Sequence, residues 1–225
     1  MPLCGVVFDF DGVIADTEAL HLRAYQDTLS HWNLSLSRSE YFAHYLGYDD
    51  VGVINAVAHA QGRVLEESEL NQLLAIKSRH FETLIRGEDV LFPDCIECIR
   101  RLSTQTKLAI ASGALHHEIS QILNANELQK YFEIIVAADH VDHPKPAPDG
   151  YLQAVAQLGR RGTTPPAGCY VAIEDSRWGL EAARAAGLKT IGITNTYPAS
   201  SLSIADAIVE NLDTVDQDFL NRLCS

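Results

Sequence analysis

The feature that most constrains this chain is an alternation of short apolar runs of β character with stretches of helical period. The runs are Cys4–Phe8, Leu108–Ala111, Ile134–Ala137, Tyr170–Ile173 and Thr190–Ile193, with a weaker one at Ala207–Val209. These runs lack the apolar–polar alternation of a half-solvated strand. Strands apolar on both faces belong in a parallel sheet covered by helices on both sides. Between the runs, Ile119, Ile122 and Leu123 keep i, i+3, i+4 spacing, and Leu152, Val155, Ala156 and Gly159 repeat it. The expected fold class is α/β, with a Rossmann-like parallel sheet as core.

One stretch interrupts the alternation. From about Ala19 to Gly87 the pattern is helical throughout, too long for a crossover and too regular for a loop. A length of 225 residues suits one domain carrying a sizeable insertion. The expected organisation is therefore an α/β core over residues 1–16 and 88–225, with a helical domain inserted at 17–87. The chain re-enters the core near Leu91-Phe92-Pro93. Residues 160–168, rich in Gly, Thr and Pro, read as a surface connection before the fourth strand.

Charge narrows the function. Against 17 basic side chains stand 30 acidic ones, a formal net charge of −13. Such a surface repels nucleic-acid backbones and anionic membranes. An anionic substrate would need a local device that reverses the sign of the field. No apolar run approaches the ~20 residues of a membrane span, and no basic leader precedes the first strand at Met1-Pro2-Leu3-Cys4. The expectation is a cytoplasmic protein with reduced thiols, monomer or homodimer. The five cysteines are an odd number, and Cys95-x-x-Cys98 lies in what reads as an amphipathic helix with no second pair to complete a metal site.

In open parallel sheets ligands bind beyond the carboxyl ends of the strands. Strand one ends in Phe8-Asp9-Phe10-Asp11-Gly12 and strand two in Ala111-Ser112-Gly113. Pro144-Lys145-Pro146 follows strand three, and strand four ends in Glu174-Asp175-Ser176. One sheet edge thus gathers four carboxylates, a hydroxyl and a lysine. Asp9 and Asp11, two positions apart, can point into one cleft, and carboxylates that close need a cation or a shared proton. An all-oxygen donor set suits Mg²⁺, which also lets an acidic site hold an anion. Lys145 adds a compact positive charge, while Ser112 and the N–H groups of Gly113 and Ala114 can cradle phosphate oxygens. Gly12 and Gly113 permit a tight turn and close backbone approach. Singly, each motif is an ordinary turn, loop or helix cap; in order after successive strands they form a specific set.

With FDFDGVIADTEALH, IASGA, KPAPDGY and IEDSRWGLEAARAAG in place, the chain resembles the haloacid dehalogenase superfamily, in the branch with a helical cap after the first strand. The look is that of β-phosphoglucomutase-like phosphatases. The resemblance implies that Asp9 is a nucleophile forming an aspartyl-phosphate, and that Asp11 is the general acid and base. It implies that Asp9, Asp11 through its carbonyl, and Asp175 bind Mg²⁺, with Glu174 as ligand or close neighbour, and that Ser112, Gly113 and Lys145 hold the phosphoryl group. The substrate would be a small phosphorylated metabolite, a sugar or polyol phosphate. Dehalogenation is a poor match, because dehalogenases lack the second acid at Asp11. Mutases of the family carry a basic residue shortly after the cap's Leu-Gly. Here Leu46-Gly47-Tyr48-Asp49-Asp50 is acidic, which favours hydrolysis over the alternative of a phosphomutase. A catalytically silent binding module ranks last, since Asp9, Asp11 and Lys145 are all present. Leu115 and His116 depart from the Asn or Lys common in the family's second loop. In the cap, His21, His44, Tyr45, Tyr48 and Asp49 are the candidate substrate contacts, and Asp16-Thr17 is the candidate hinge.

Overall fold

The computed structural model describes residues 3–46, 48–86, 88–159 and 169–225. The connection expected at 160–168, and Gly47 of the cap's Leu-Gly, lie outside the described residues. The chain divides into two compact units, Thr17–Val90 and a second made of Met1–Asp16 with Leu91–Ser225. The return falls at Leu91 rather than at residue 88. Leu91 makes an antiparallel bridge to Ala15, and the Phe92 N–H donates to the Ile14 carbonyl at 3.0 Å.

The inserted unit contains α1 (Glu18–Ser30), α2 (Arg38–Glu40), a π-helical turn at Tyr41–Tyr45, α3 (Asp50–Ala60) and α4 (Glu67–Leu84). α1 and α4 form its main pairing. Leu22, Tyr25, Leu29, Ile54, Leu73 and Phe81 are buried there. The ends are set by side chains. Ser37 and Glu40 form a reciprocal capping box on α2, and the Asp49 carboxylate accepts from the Gly52 N–H at 2.7 Å at the start of α3.

The core unit holds six parallel strands: β1 (Gly5–Phe8), β2 (Leu108–Ala111), β3 (Ile134–Val136), β4 (Tyr170–Glu174), β5 (Lys189–Ile193) and β6 (Ala207–Val209). Their spatial order is β3-β2-β1-β4-β5-β6. Val7 pairs with Ala109 on one side and Ala172 on the other. That places β1 centrally, which explains why Gly-Val-Val-Phe is apolar on both faces and wholly buried. The edges are less covered, and Ile208 of β6 is exposed. The core helices are α5 (Cys95–Ser103), α6 (His116–Ala125), α7 (Asp149–Leu158), α8 (Arg177–Ala185) and α9 (Gln217–Leu223). Cys95 and Cys98 sit on the buried face of α5 with Ile99 and Leu102, as an amphipathic helix requires. Burial pushes the Cys98 thiol up to about 12.

On α7 the sequence spacing picked the wrong face. Tyr151, Ala154 and Leu158 are buried, whereas Leu152 is half exposed and Ala156 faces solvent. Reading hydrophobicity alone ranks Leu152 above Tyr151. The tyrosine instead buries its ring and sends its hydroxyl to a carboxylate, which satisfies the one polar atom that would otherwise oppose burial. Among the described residues no helix is long and apolar enough to cross a membrane.

Candidate active site

The site is built where β1 stops. The Asp9 N–H donates to the Ile173 carbonyl at 2.9 Å, the last rung between β1 and β4, and beyond it the chain turns sharply. The Ile14 and Ala15 N–H groups both return to the Phe10 carbonyl, at 2.8 and 3.0 Å. Gly12 takes φ of +77°, a conformation that disfavours any side chain. A Cβ at this position would also overlap the Asp175 carboxylate. Asn195, just after β5, donates from Nδ2 to the Gly12 carbonyl at 2.8 Å. This tether was not among the sequence-derived residues; its only signal was a place after a strand end.

Lys145 is the electrostatic centre of the site. Its Nζ lies 2.9 Å from Asp9 Oδ1 and 2.6 Å from Glu174 Oε1. Glu174 is fully buried and crowded by donors. Oε1 also accepts from the Tyr151 hydroxyl at 2.7 Å, and Oε2 accepts from Ser176 Oγ at 3.1 Å. The Tyr151 ring lies under the same ammonium, 5.2 Å from centroid to Nζ. Gly179 in the first turn of α8 gives the carboxylate its room, because a Cβ there would overlap Glu174 itself. Tyr151 and Gly179 both fall inside motifs quoted above, yet neither was singled out.

These contacts set the protonation states. Burial first, and the Glu174 charge second, push the Asp9 carboxyl up to about 7, although Lys145 works the other way. Burial disfavours the Lys145 ammonium, but Asp9 and Glu174 outweigh it and hold the group above its ordinary range. Asp9, Glu174 and Asp175 each offer a carboxylate oxygen, all within 4.8 Å of one another. A buried, oxygen-only, mutually repelling set of this kind fits a hard divalent cation such as Mg²⁺. Asp11 is half-buried on the turn and bridges to Ala15.

The second strand end supplies less than expected. Ser112 is buried, and its Oγ accepts from the Ala114 N–H at 3.0 Å. That N–H is therefore directed at the serine, not at an incoming phosphate. Gly113 is outside the left-handed region and a Cβ there would enter open space. The tight-turn requirement holds at Gly12 and not at Gly113. His116 and Leu115 open α6, where the His116 N–H donates to Asp139 Oδ1 at 2.9 Å.

In the inserted unit the candidate residues separate into two groups. His44, Tyr45 and Tyr48 form a run of ring contacts, with centroids 6.2 and 6.3 Å apart, and Tyr48 is half exposed. Asp49 is exposed and engaged as the cap of α3. His21 belongs elsewhere. It is buried and stacked on Phe81 at 4.0 Å, and its Nδ1 lies 2.9 Å from Lys77 Nζ. Lys77 is fully buried and also donates to both Asp50 oxygens, at 2.7 and 2.8 Å. An ammonium can only donate, so His21 Nδ1 accepts and its hydrogen sits on Nε2.

A cluster of buried carboxylates with a half-buried lysine at the carboxyl edge of a parallel sheet, in a chain with an inserted helical unit, is the arrangement of an α/β hydrolase. The haloacid dehalogenase-like hydrolase family matches residues 6–193, and the chain belongs to that family. Protein CbbY of Rhodobacter capsulatus is 32% identical over 220 residues, covering 94% of this chain and 95% of its own length. Fructose-1-phosphate phosphatase YqaB of Escherichia coli K12 is 29% identical over 84% of this chain and 95% of its own. The crystal structure of CbbY from Rhodobacter sphaeroides in complex with phosphate superposes with a TM-score of 0.83 at 25% identity, covering 95% and 96% of the two chains.

Proposed function

We propose that the chain is a Mg²⁺-dependent phosphatase acting on a small phosphorylated metabolite, a sugar or polyol phosphate, through an aspartyl-phosphate on Asp9. The observation that carries this reading is Lys145 Nζ held 2.9 Å from Asp9 Oδ1 beside the Asp9, Glu174 and Asp175 cluster. A carboxylate so placed can attack phosphorus while an adjacent ammonium meets the charge on the phosphoryl oxygens. The Asp11 carboxyl gives its proton to the departing alkoxide. As carboxylate it then takes a proton from the water that attacks the Asp9 phosphoanhydride, which releases inorganic phosphate and restores Asp9. Asp9, Asp175 and the Asp11 carbonyl would hold Mg²⁺, which when bound offsets the negative charge of site and substrate. The three side-chain donors crowding Glu174, from Lys145, Tyr151 and Ser176, support an outer role for it, orienting Lys145. Ser112 and the exposed backbone at Gly113 would complete the phosphoryl cradle, with Tyr45, Tyr48 and His44 selecting the leaving group. The name of the Escherichia coli relative, a fructose-1-phosphate phosphatase, supports a sugar monophosphate as substrate.

The test is phosphate release from a panel of sugar, polyol, nucleotide and amino-acid phosphates with Mg²⁺, against EDTA and Asp9→Asn controls. Release from one class, abolished by both controls, is the expected result. Silence with every monoester, together with interconversion of hexose phosphates once a bisphosphate primer is added, would replace hydrolysis by mutase chemistry.

A further inference from the structure

A second group of reactive side chains lies at the opposite, amino-terminal edge of the sheet. Cys4 immediately precedes β1 and Cys169 immediately precedes β4. The Cys4 N–H donates to the Cys169 carbonyl at 2.8 Å, and one step on, Gly5 is in register with Tyr170. The two cysteines are therefore direct neighbours across a parallel pair. Adjacent strands lie about 4.7–4.9 Å apart, inside the range of about 4.4–6.8 Å between Cα atoms that a disulfide spans. Both side chains pack against one apolar cluster, and a hydrogen bond links the two thiols. Cys4 is half-buried and reachable by solvent, while Cys169 and the nearby Cys224 are buried.

We propose that Cys4 and Cys169 are a thiol pair that closes to a reversible disulfide under peroxide, joining the far ends of the two strands that carry Asp9 and Glu174. The roles within the pair follow from exposure and acidity. Burial, and then the Cys4 neighbour, push the Cys169 thiol up to about 12, so the attacking thiolate is Cys4. Its sulfur attacks hydrogen peroxide, the O–O bond breaks, and the Cys4 sulfenic acid forms as hydroxide leaves. The Cys169 sulfur then attacks the Cys4 sulfur. The S–S bond forms, and the departing hydroxide takes the Cys169 proton as water. Two thiols are oxidised by two electrons, and one peroxide is reduced to two waters. Cys95 and Cys98 are both fully buried in α5, so solvent peroxide does not reach that pair.

The experiment treats the reduced full-length chain with hydrogen peroxide, blocks the remaining thiols, and maps the peptides by mass spectrometry. Thiols titratable in denaturant should fall from five to three. A cross-linked Cys4–Cys169 peptide should appear, lighter by two hydrogens, and dithiothreitol should restore the starting state. In Cys169→Ser the Cys4 sulfenic acid should persist and be trapped by a cyclic 1,3-diketone, and in Cys4→Ser no crosslink should form. A Cys4–Cys224 crosslink, a Cys4 sulfinic acid with Cys169 still free, or all five thiols intact would each overturn the proposal. The wild-type map decides the matter even where a variant folds poorly.

Discussion

Each unit of this protein sets a lysine among carboxylate and aromatic partners, Lys77 fully buried and Lys145 half-buried, and the two sites are built alike up to a point. In the core, Lys145 pairs with Glu174, whose oxygen also takes the Tyr151 hydroxyl at 2.7 Å, and the ring of that tyrosine underlies the ammonium. In the inserted unit, Lys77 pairs with Asp50, whose oxygen takes the Tyr25 hydroxyl at 2.6 Å, and the Tyr25 ring lies 5.0 Å from Nζ. The difference is the third partner. Lys145 faces a second carboxylate, Asp9; Lys77 faces an imidazole, His21. One lysine, one carboxylate and a neutral ring make a closed account of charge, whereas the core site carries surplus negative charge in a buried place. Surplus of that kind costs stability, and the proposed function gives it a use: it would receive a cation and, with it, a phosphoryl group.

The comparison can be broken at several points. Asp9→Asn should lower phosphate release on the order of 10⁴-fold or more. Because it removes a charge that burial and Glu174 both oppose, the melting temperature should stay level or rise. Lys77→Met should do the reverse in kind, since it strands the Asp50 carboxylate. A loss of about 3–5 kcal/mol in urea unfolding is expected, and an unchanged midpoint would show that the cap triad is not a structural ion pair. Lys145→Met should reduce kcat by roughly 10²–10³-fold, with a smaller stability change than Lys77→Met. The matched pair Tyr151→Phe and Tyr25→Phe should each lose about 1–2 kcal/mol from one hydrogen bond to a carboxylate. Only the first should also lower kcat. The smallest effect is in pH. Burial opposes the Asp50 charge, but Lys77 outweighs it and leaves the carboxyl below its ordinary 3.8. The unfolded chain therefore takes up protons first as the medium is acidified. The stabilisation is complete above the unfolded pKa and is lost as pH falls through the folded one. Denaturation curves of wild type and Asp50→Asn should accordingly begin to draw together as pH falls below about 4 and meet only once it has passed the folded pKa.

The parts of this molecule legible in the sequence are those set by local pattern. All six apolar runs became strands, because burial on both faces leaves an unbroken apolar signature. Asp9, Lys145, Glu174 and Asp175 lie together because a parallel sheet puts every strand's end at one edge. What escaped depends on partners distant in the chain. Lys77 sits in a helix that reads as ordinarily amphipathic, and its partners Asp50 and His21 lie 27 and 56 positions away. Tyr151 lost to Leu152 because hydrophobicity does not register a hydroxyl with a waiting carboxylate. Asn195 reaches Gly12 across 183 positions, and a lone asparagine in a loop carries no mark of that.

The central place of β1 has a consequence for the birth of the protein. β1 is complete at Phe8, yet its neighbours β2 and β4 begin only at Leu108 and Tyr170. At a synthesis rate of about 5–20 residues per second, this central strand waits roughly 8 to 30 s for its second partner. The inserted helical unit, contiguous from Thr17 to Val90, is fully translated long before then. A nascent chain thus carries Asp9 well before Lys145, Glu174 and Asp175 exist to surround it. Chains that stop short of Asp175 lack the completed acidic cluster, and they leave Val6, Val7 and Phe8 without their β4 neighbours Val171, Ala172 and Ile173.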